Sequence, residues 1–325
     1  MELICPAGTP ASLEAAVTAG ADAVYCGFRD ETNARNFPGL NFSREELRKG
    51  IAFAHRHGVK VLVAINTFAR AGSFGLWQSA IDDAVAAGAD ALILADLATL
   101  DYAASRHPAQ RLHVSVQAGA ANPDAIRFYV ESFGVRRVVL PRVLNVTEIA
   151  AIVPETGCET EVFVFGGLCV MEEGRCSLSS YATGQSPNMN GVCSPASHVA
   201  YAERGGRIVS TLGGFTINSF GKDEPAGYPT LCKGRFAVPT GSGYIFEEPV
   251  SLDAAVMLPA LSKAGVTALK IEGRQRGRAY IAQVVRHFRE ILAAFEQGRE
   301  VRPAGLAAMA EGQASTAGAY RRGWR

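Results

Sequence analysis

Four cysteines share one glycine- and serine-rich region of this chain. Cys169 and Cys176 stand in "GLCVMEEGRCSLSSYATG", Cys193 in "GVCSPA" and Cys232 in "PTLCKGR", a spacing of Cys-x6-Cys-x16-Cys-x38-Cys. Their neighbours are polar or small, as in loops that wrap a cofactor. Cys5, Cys26 and Cys158 instead sit in or beside apolar runs, where a free thiol packs as a small hydrophobe. Seven cysteines, an odd number, on a chain that opens "MELICPAGTP" with no apolar leader point to a reducing cytoplasm. There, clustered thiols read as metal ligands or redox groups. Four thiolates suit tetrahedral zinc or an iron–sulfur cluster. Zinc loops usually carry a short Cys-x2-4-Cys clip, which is absent here. A [4Fe–4S] cube takes one sulfur per corner and tolerates scattered ligands. Spacing alone leaves both open.

A second group of polar residues ends apolar runs: Asn66, Asp96, Gln117, Arg142, Glu272 and Arg274, with Asn33 and Arg35 in "TNARNF". Nucleotide-binding signatures are missing, since neither a P-loop nor a Gly-x-Gly-x-x-Gly after a strand occurs. Neither a His-Glu-x-x-His helix nor a Gly-x-Ser-x-Gly elbow is present. The net charge of +1 gives no whole-molecule attraction to nucleic acid or anionic membrane. No apolar run reaches the length that spans a bilayer. The 325 residues, 48% hydrophobic and 19% charged, are a globular composition, enough for one large α/β barrel.

The elements that must position these groups follow one phrase: helix, glycine, strand. It recurs at Gly20, Gly58, Gly88, Gly134 and Gly265, each a helix C-cap that turns into a buried strand. Thr9-Pro10 and Asn122-Pro123 are helix starts, and Ser43 with Glu46 is a capping box. Eight strands are predicted: Leu3–Ala7, Ala23–Phe28, Lys60–Phe68, Ala91–Asp96, Leu112–Ala118, Arg137–Arg142, Glu161–Gly166 and Thr267–Glu272. They are continuous apolar runs, as in parallel strands covered on both faces. Strict βα alternation predicts a (β/α)8 TIM-like barrel, with a doubly wound open sheet as the alternative.

About 100 residues separate the seventh and eighth strands, far more than an ordinary βα connection needs. The predicted division is a barrel of 1–167 and 266–298, a cysteine-bearing insert of 168–265 at the barrel mouth and a C-terminal arm of 299–325. The arm's aromatics and arginines ("AYRRGWR") are expected to dock on the barrel or on a partner.

The phrases "CPAGTPASLEAAVTAGADAVYCGF", "TNARNFPGLNF", "HVSVQAGAANPDAIRFY", "RVVLPRVL", "GLCVMEEGRCSLSSYATGQSPN", "GVCSPA", "AGYPTLCKGR" and "LKIEGRQRG" cover positions 5 to about 280. In these the chain resembles the collagenase-like peptidase family of unassigned catalytic type, in particular its branch in oxygen-independent ubiquinone biosynthesis. The resemblance implies a [4Fe–4S] cluster, its four ligands matching Cys169, Cys176, Cys193 and Cys232. It implies a heterodimer with a UbiV-like protein that holds its own cluster. It further implies a UbiT-like lipid carrier that presents the substrate, and hydroxylation of the ubiquinone precursor ring with prephenate as oxygen donor. A fully ligated cluster is expected to move electrons or brace the insert rather than bind substrate at iron.

A dicarboxylate such as prephenate calls for arginine forks. Arg142 and Arg274 are the candidates, with Asn66, Gln117 and Glu272 beside them, and a salt bridge from Glu272 across the rim is the competing role for either arginine. Family members that hydroxylate RNA bases supply a second reading. It would require a basic, aromatic-lined surface at the mouth, for which "GRQRGR" (Gly273–Arg278) is a short basic run that could contribute. A peptidase is the third and needs a thiol or metal beside one of the six histidines, of which His198 stands nearest a cysteine ligand in sequence. The fourth is a non-catalytic scaffold, which would show as a barrel pocket filled by apolar side chains.

Overall fold

The computed structural model describes residues 1–169, 176–187, 192–224, 226–299, 305–310 and 314–321. Seven strands alternate with six helices: β1 (Glu2–Pro6), α1 (Pro10–Ala19), β2 (Ala23–Gly27), α2 (Arg44–Arg56), β3 (Lys60–Ile65), α3 (Gly75–Ala86), β4 (Ala91–Leu94), α4 (Leu97–Arg106), β5 (Leu112–Val114), α5 (Pro123–Phe133), β6 (Arg137–Val139), α6 (Val146–Thr156) and β7 (Glu159–Gly167). An excursion follows, made of α7 (Ser177–Thr183), β8 (Val199–Arg204), β9 (Arg207–Leu212), β10 (Phe215–Phe220), β11 (Arg235–Val238) and β12 (Gly241–Tyr244). The chain returns through β13 (Val250–Asp253), α8 (Leu258–Lys263), β14 (Ala268–Ile271), α9 (Arg278–Glu296) and the short β15 (Ala314–Thr316).

Strands β1 to β7 pair in sequence order, all parallel, and β14 lies between β1 and β7. Glu2 registers with Ala268 on one side of β14, and Glu161 registers with Ala268 on the other. The eight strands therefore close on themselves, which makes the fold a TIM-like (β/α)8 barrel and excludes the open sheet. All eight strands lie where the sequence reading puts them, ending one to four residues earlier in several cases. β5 stops at Val114, and Gln117 falls in a 3-10 turn, Val116–Ala118, capped by Ser115. Asp96 lies past β4 and caps α4, accepting from the amides of Ala98 and Thr99.

The alternation of the pleat explains how one run of apolar residues serves two cores. Leu3, Cys5, Val24, Cys26, Val61, Val63, Leu92 and Leu94 pack outward against the helices. Ile4, Ala23, Tyr25, Leu62, Ala64, Ala91, Ile93 and Ala268 form a separate inner cluster. The glycines at 20, 58, 88, 134 and 265 all have positive φ, as their capping role requires. Thr9 and Ser43 both complete capping boxes.

In the excursion, β8, β9 and β10 form an antiparallel sheet and β11 pairs with β12. β13 returns antiparallel to β7, with Leu252 opposite Gly166, and β15 adds in parallel to its other edge. Among the described residues no helix is long and apolar enough to cross a membrane.

Candidate functional site

At the C-terminal end of the barrel a cavity of about 100 Å³ opens among Tyr25, Arg35, Asn66, Gln117, Arg142, Lys270, Glu272 and Arg274, with Ile93, Val139 and Phe163 as apolar wall. One water needs about 10–15 Å³ measured this way, so the cavity has room for a small organic molecule. Five of the six residues expected at the strand ends (Asn66, Gln117, Arg142, Glu272 and Arg274) lie on its wall, as does Arg35. Asn33 stands one layer behind. It accepts from Arg274 Nη1 at 2.7 Å and donates to the Phe28 carbonyl at 3.1 Å. Asp96 serves its helix instead.

Arg142 meets Glu272 at 2.5 Å, the rim salt bridge weighed above, and its guanidinium lies 3.6 Å over the Phe163 ring. Arg35 approaches the same carboxylate at 3.8 Å. Burial raises the Glu272 pKa, but Arg142, Arg35 and Arg274 outweigh it and hold the group below the usual carboxylate value. Gly166 makes this packing possible. It has φ +122, and a Cβ there would stand 2.7 Å from Glu272 Cβ. Burial pulls Arg274 down to about 10.

The cavity floor was not legible from strand ends. Lys270 Nζ donates to Glu161 at 2.6 Å and lies 3.7 Å from the centre of the Tyr25 ring. The Tyr25 hydroxyl donates to the Ile271 carbonyl at 2.9 Å. Glu161 is fully buried and also meets Arg137, which binds Glu159 and Glu2 below it. A lone charge inside an apolar run, at an inward position of the pleat, is the signal that would have found Lys270 and Glu161.

Two features give the cavity its chemistry. Its cations, Arg35, Arg142, Lys270 and Arg274, outnumber its one carboxylate, and positive charge remains in excess after Glu161 is counted beneath Lys270. Gln117 is 3% exposed, and its Oε1 is buried without a hydrogen-bond partner among the described residues. An unpaired buried acceptor costs free energy until a donor meets it. The cavity is thus built for a small anion that also carries a hydroxyl or amine donor. Asn66 is already engaged, donating to Ser115 and accepting from the Ala34 amide.

The four insert cysteines are electrostatic neighbours in pairs, and Cys193 connects them to the wall of this cavity. Cys169 follows β7, Cys176 caps α7 with its Sγ facing the Ser179 amide at 3.5 Å, and Cys232 is buried in a 3-10 turn, Leu231–Lys233. Cys193 is exposed along one side. Desolvation by the surrounding chain raises its thiol pKa, while Arg35 lowers it and Cys176 and Glu272 raise it further. Burial, with Cys169 and Cys193 nearby, pushes Cys232 up to about 12. The four thiols therefore form a chain of electrostatic neighbours, and Cys193 also senses two residues of the cavity wall.

All seven cysteines are free thiols. Among the described residues no three His, Cys, Asp or Glu side chains close on one point as ligands of a single metal ion do. Four thiols that are electrostatic neighbours in pairs are the donor type a thiolate-ligated cluster requires. Cys5, Cys26 and Cys158 are buried apart from them, with thiol pKa values raised by desolvation.

Each histidine is occupied elsewhere. His55 pairs with Asp90, His57 with the Phe53 carbonyl, His107 with Asp82, His113 with Arg111, His198 with Ser197 and His287 with Glu290. Among the described residues no thiol meets an imidazole. The arrangement a cysteine peptidase needs is therefore not found among them.

These features define an α/β-barrel protein with a small cationic cavity at its mouth and a thiol-bearing excursion above it. The chain belongs to peptidase family U32, which it matches over residues 8–324. It is 31% identical over 299 residues to tRNA hydroxylation protein P1 of Bacillus subtilis, covering 90% of this chain and 63% of that one. It is 32% identical over 314 residues to tRNA hydroxylation protein P of Escherichia coli, covering 90% and 67%. A third relative, the 23S rRNA 5-hydroxycytidine C2501 synthase of Escherichia coli, is 31% identical over 302 residues, covering 92% and 40%. The chain thus spans less than two thirds of the length of the first and third of these relatives.

Proposed function

We propose that this chain is a UbiU-like iron–sulfur subunit of an oxygen-independent hydroxylase that acts on the ubiquinone precursor ring in the cytoplasm. It works as a heterodimer with a UbiV-like protein, receives its substrate from a UbiT-like lipid carrier and uses prephenate as oxygen donor. The observation that carries this reading is the cationic cavity with its unpaired Gln117 acceptor, together with four thiols outside any disulfide, of which Cys193 interacts electrostatically with Arg35 and Glu272 of the cavity wall. The relatives named for RNA hydroxylation support the reaction class.

In this reading Cys169, Cys176, Cys193 and Cys232 hold a [4Fe–4S] cluster, which supplies electron transfer when bound. Arg274, locked by Asn33, and Arg35 hold the donor's carboxylates. Gln117 accepts a hydrogen bond from its hydroxyl. The Arg142–Glu272 pair closes the rim. The low-dielectric wall strengthens each contact. A cavity lined by so many charged groups argues against a purely structural barrel.

RNA base hydroxylation is the second reading, favoured by the relatives' names. The excursion does expose Tyr181, Tyr228 and Phe246. Yet Arg204, Arg207, Lys222, Lys233 and Arg235 there are matched in number by Glu203, Asp223, Glu224, Glu247 and Glu248, with Arg235 paired to Glu224. That balance gives a weak electrostatic footprint for a polyanion.

The test begins with iron and acid-labile sulfide on protein purified without oxygen, beside Cys176→Ala. About four of each per chain is expected, lost in the variant; stoichiometric zinc or no metal overturns the cluster assignment. Cells lacking the chain and grown without oxygen should accumulate unhydroxylated quinone precursor. Unhydroxylated RNA with normal quinone would decide for the second reading.

A further inference from the structure

The barrel cavity has a neighbour. A wider cavity of about 630 Å³ is lined by Arg142, Val143, Leu168, Cys169, Glu247 and Val250 on one side and by residues 315–319 and Arg321 on the other. Its volume falls in the range of about 300–1,000 Å³ usual for small-molecule sites. Arg142 is common to both cavities, so its guanidinium and the Glu272 ion pair stand between them.

This second cavity is a built feature. The arm that forms its far wall is tied down twice: β15 pairs with β13 at three positions, and the Tyr320 hydroxyl donates to the Phe163 carbonyl at 2.6 Å. Half of the lining residues are apolar or small (Val143, Leu168, Val250, Ala317, Gly318 and Ala319), and the polar half is Arg142, Cys169, Glu247, Ser315, Thr316 and Arg321. Val143 is 44% exposed, apolar surface left uncovered at the cavity. Among the polar groups, Glu247 Oε2 is buried and accepts no hydrogen bond among the described residues, with Lys233 Nζ 3.9 Å away. A chamber with a continuous apolar stretch of wall and one waiting acceptor favours an apolar body that carries one donor.

We propose that this chamber, completed by the C-terminal arm, is the acceptor site: it holds a phenol with an alkyl substituent, its hydroxyl donated to Glu247, while the barrel cavity holds the small anion. The assignment rests on the hydroxylase reading for the role of the bound phenol. The division of labour follows from the two linings. The barrel cavity is small and cationic, and the outer one is larger with an apolar stretch of wall. The residue between them, Arg142, stands on the path from one ligand to the other.

The probe is 4-propylphenol, titrated against the anaerobically purified full chain by calorimetry and ligand-observed NMR. Saturable binding at about one per chain is expected. Ala317→Trp fills the chamber without touching the barrel cavity and should weaken the probe at least about tenfold, while the chain's affinity for malate, the probe of the barrel cavity, stays unchanged. Glu247→Gln keeps the shape and should weaken 4-propylphenol while sparing 4-propylanisole, which lacks the donor. A folded Ala317→Trp protein that binds the phenol like the parent overturns the site, as does non-saturable uptake. The functional reading fails separately: saturable phenol binding with no effect of the chain on quinone hydroxylation in cells would sink the reading and leave the site standing. Undiminished quinone hydroxylation by Ala317→Trp would sink the site and leave the reading.

Discussion

On the floor of the barrel, buried charges are matched. Lys270 sits against Glu161, and Glu161 against Arg137, each with its side chain almost fully out of water. Removing one member would strand the other, the costliest event a buried pair can suffer. His113 follows the opposite course and stays neutral. Its Nε2 faces Arg111 Nε at 2.9 Å and must accept, which puts the ring proton on Nδ1, a buried atom without a partner among the described residues. Burial first, then Arg137, Arg111, Lys270 and Lys60, hold its pKa well below 6.5. The unfolded chain takes up a proton as pH falls through about 6.5, and the native state does not. This residue's contribution is therefore complete above that pH and is lost below it. Between pH 7 and 5.5 the loss should be about 1 kcal/mol. Urea titrations of the parent and His113→Gln across that interval should differ in pH slope by this amount. Equal slopes would mean that the ring protonates in the native state.

Among the elements, the glycines that end helices carry unequal loads. Gly58 has φ +72 with open space where a Cβ would stand, whereas at Gly265, φ +85, a Cβ would lie 2.8 Å from Val153 Cγ1. Gly58→Ala should cost about 1–2 kcal/mol, the backbone penalty alone. Gly265→Ala should cost roughly 1–3 kcal/mol more, because α8 must move off α6. Val153→Ala in the Gly265→Ala background should recover part of that excess, a coupling readable in a double-mutant cycle. Additive effects would show that the clash is absorbed elsewhere. These same glycines are why the barrel was legible: each marks a strand start, and a parallel barrel needs apolar residues on both faces of the strand. Once the strand ends were known, Asn66, Gln117, Arg142, Glu272 and Arg274 followed, since all eight C-termini open on one face. Lys270 and Glu161 escaped because a single charge in an apolar run reads as a strand edge. Which face it takes depends on a pleat phase fixed only by closure. The rim pair of Arg142 with Glu272 depended on rotamers and not on position.

At the scale of the whole molecule, the question is whether the arm is part of the barrel or an appendage. Nothing in the letters of "ASTAGAYRR" says which of its residues anchors it. In the folded chain the anchor is Tyr320, 6% exposed, whose hydroxyl ends on a carbonyl of β7 beneath the cavity wall. Arg142 stacks on the ring of that same Phe163, so the arm braces the strand that positions the rim cation. Leu306, fully buried, and Met309, 9% exposed, fix the start of the same segment against the barrel core. An appendage would leave the barrel indifferent to its loss. A brace must show in the global transition. Tyr320→Phe, which keeps the ring and drops one hydrogen bond, should cost about 1 kcal/mol. Tyr320→Ala should cost about 3–5 kcal/mol, the range for emptying a buried aromatic site. Both should shift the urea midpoint with the slope unchanged, because the arm and barrel would still unfold together. If Tyr320→Ala leaves the midpoint in place, the arm unfolds independently and cannot serve as the wall of a cavity.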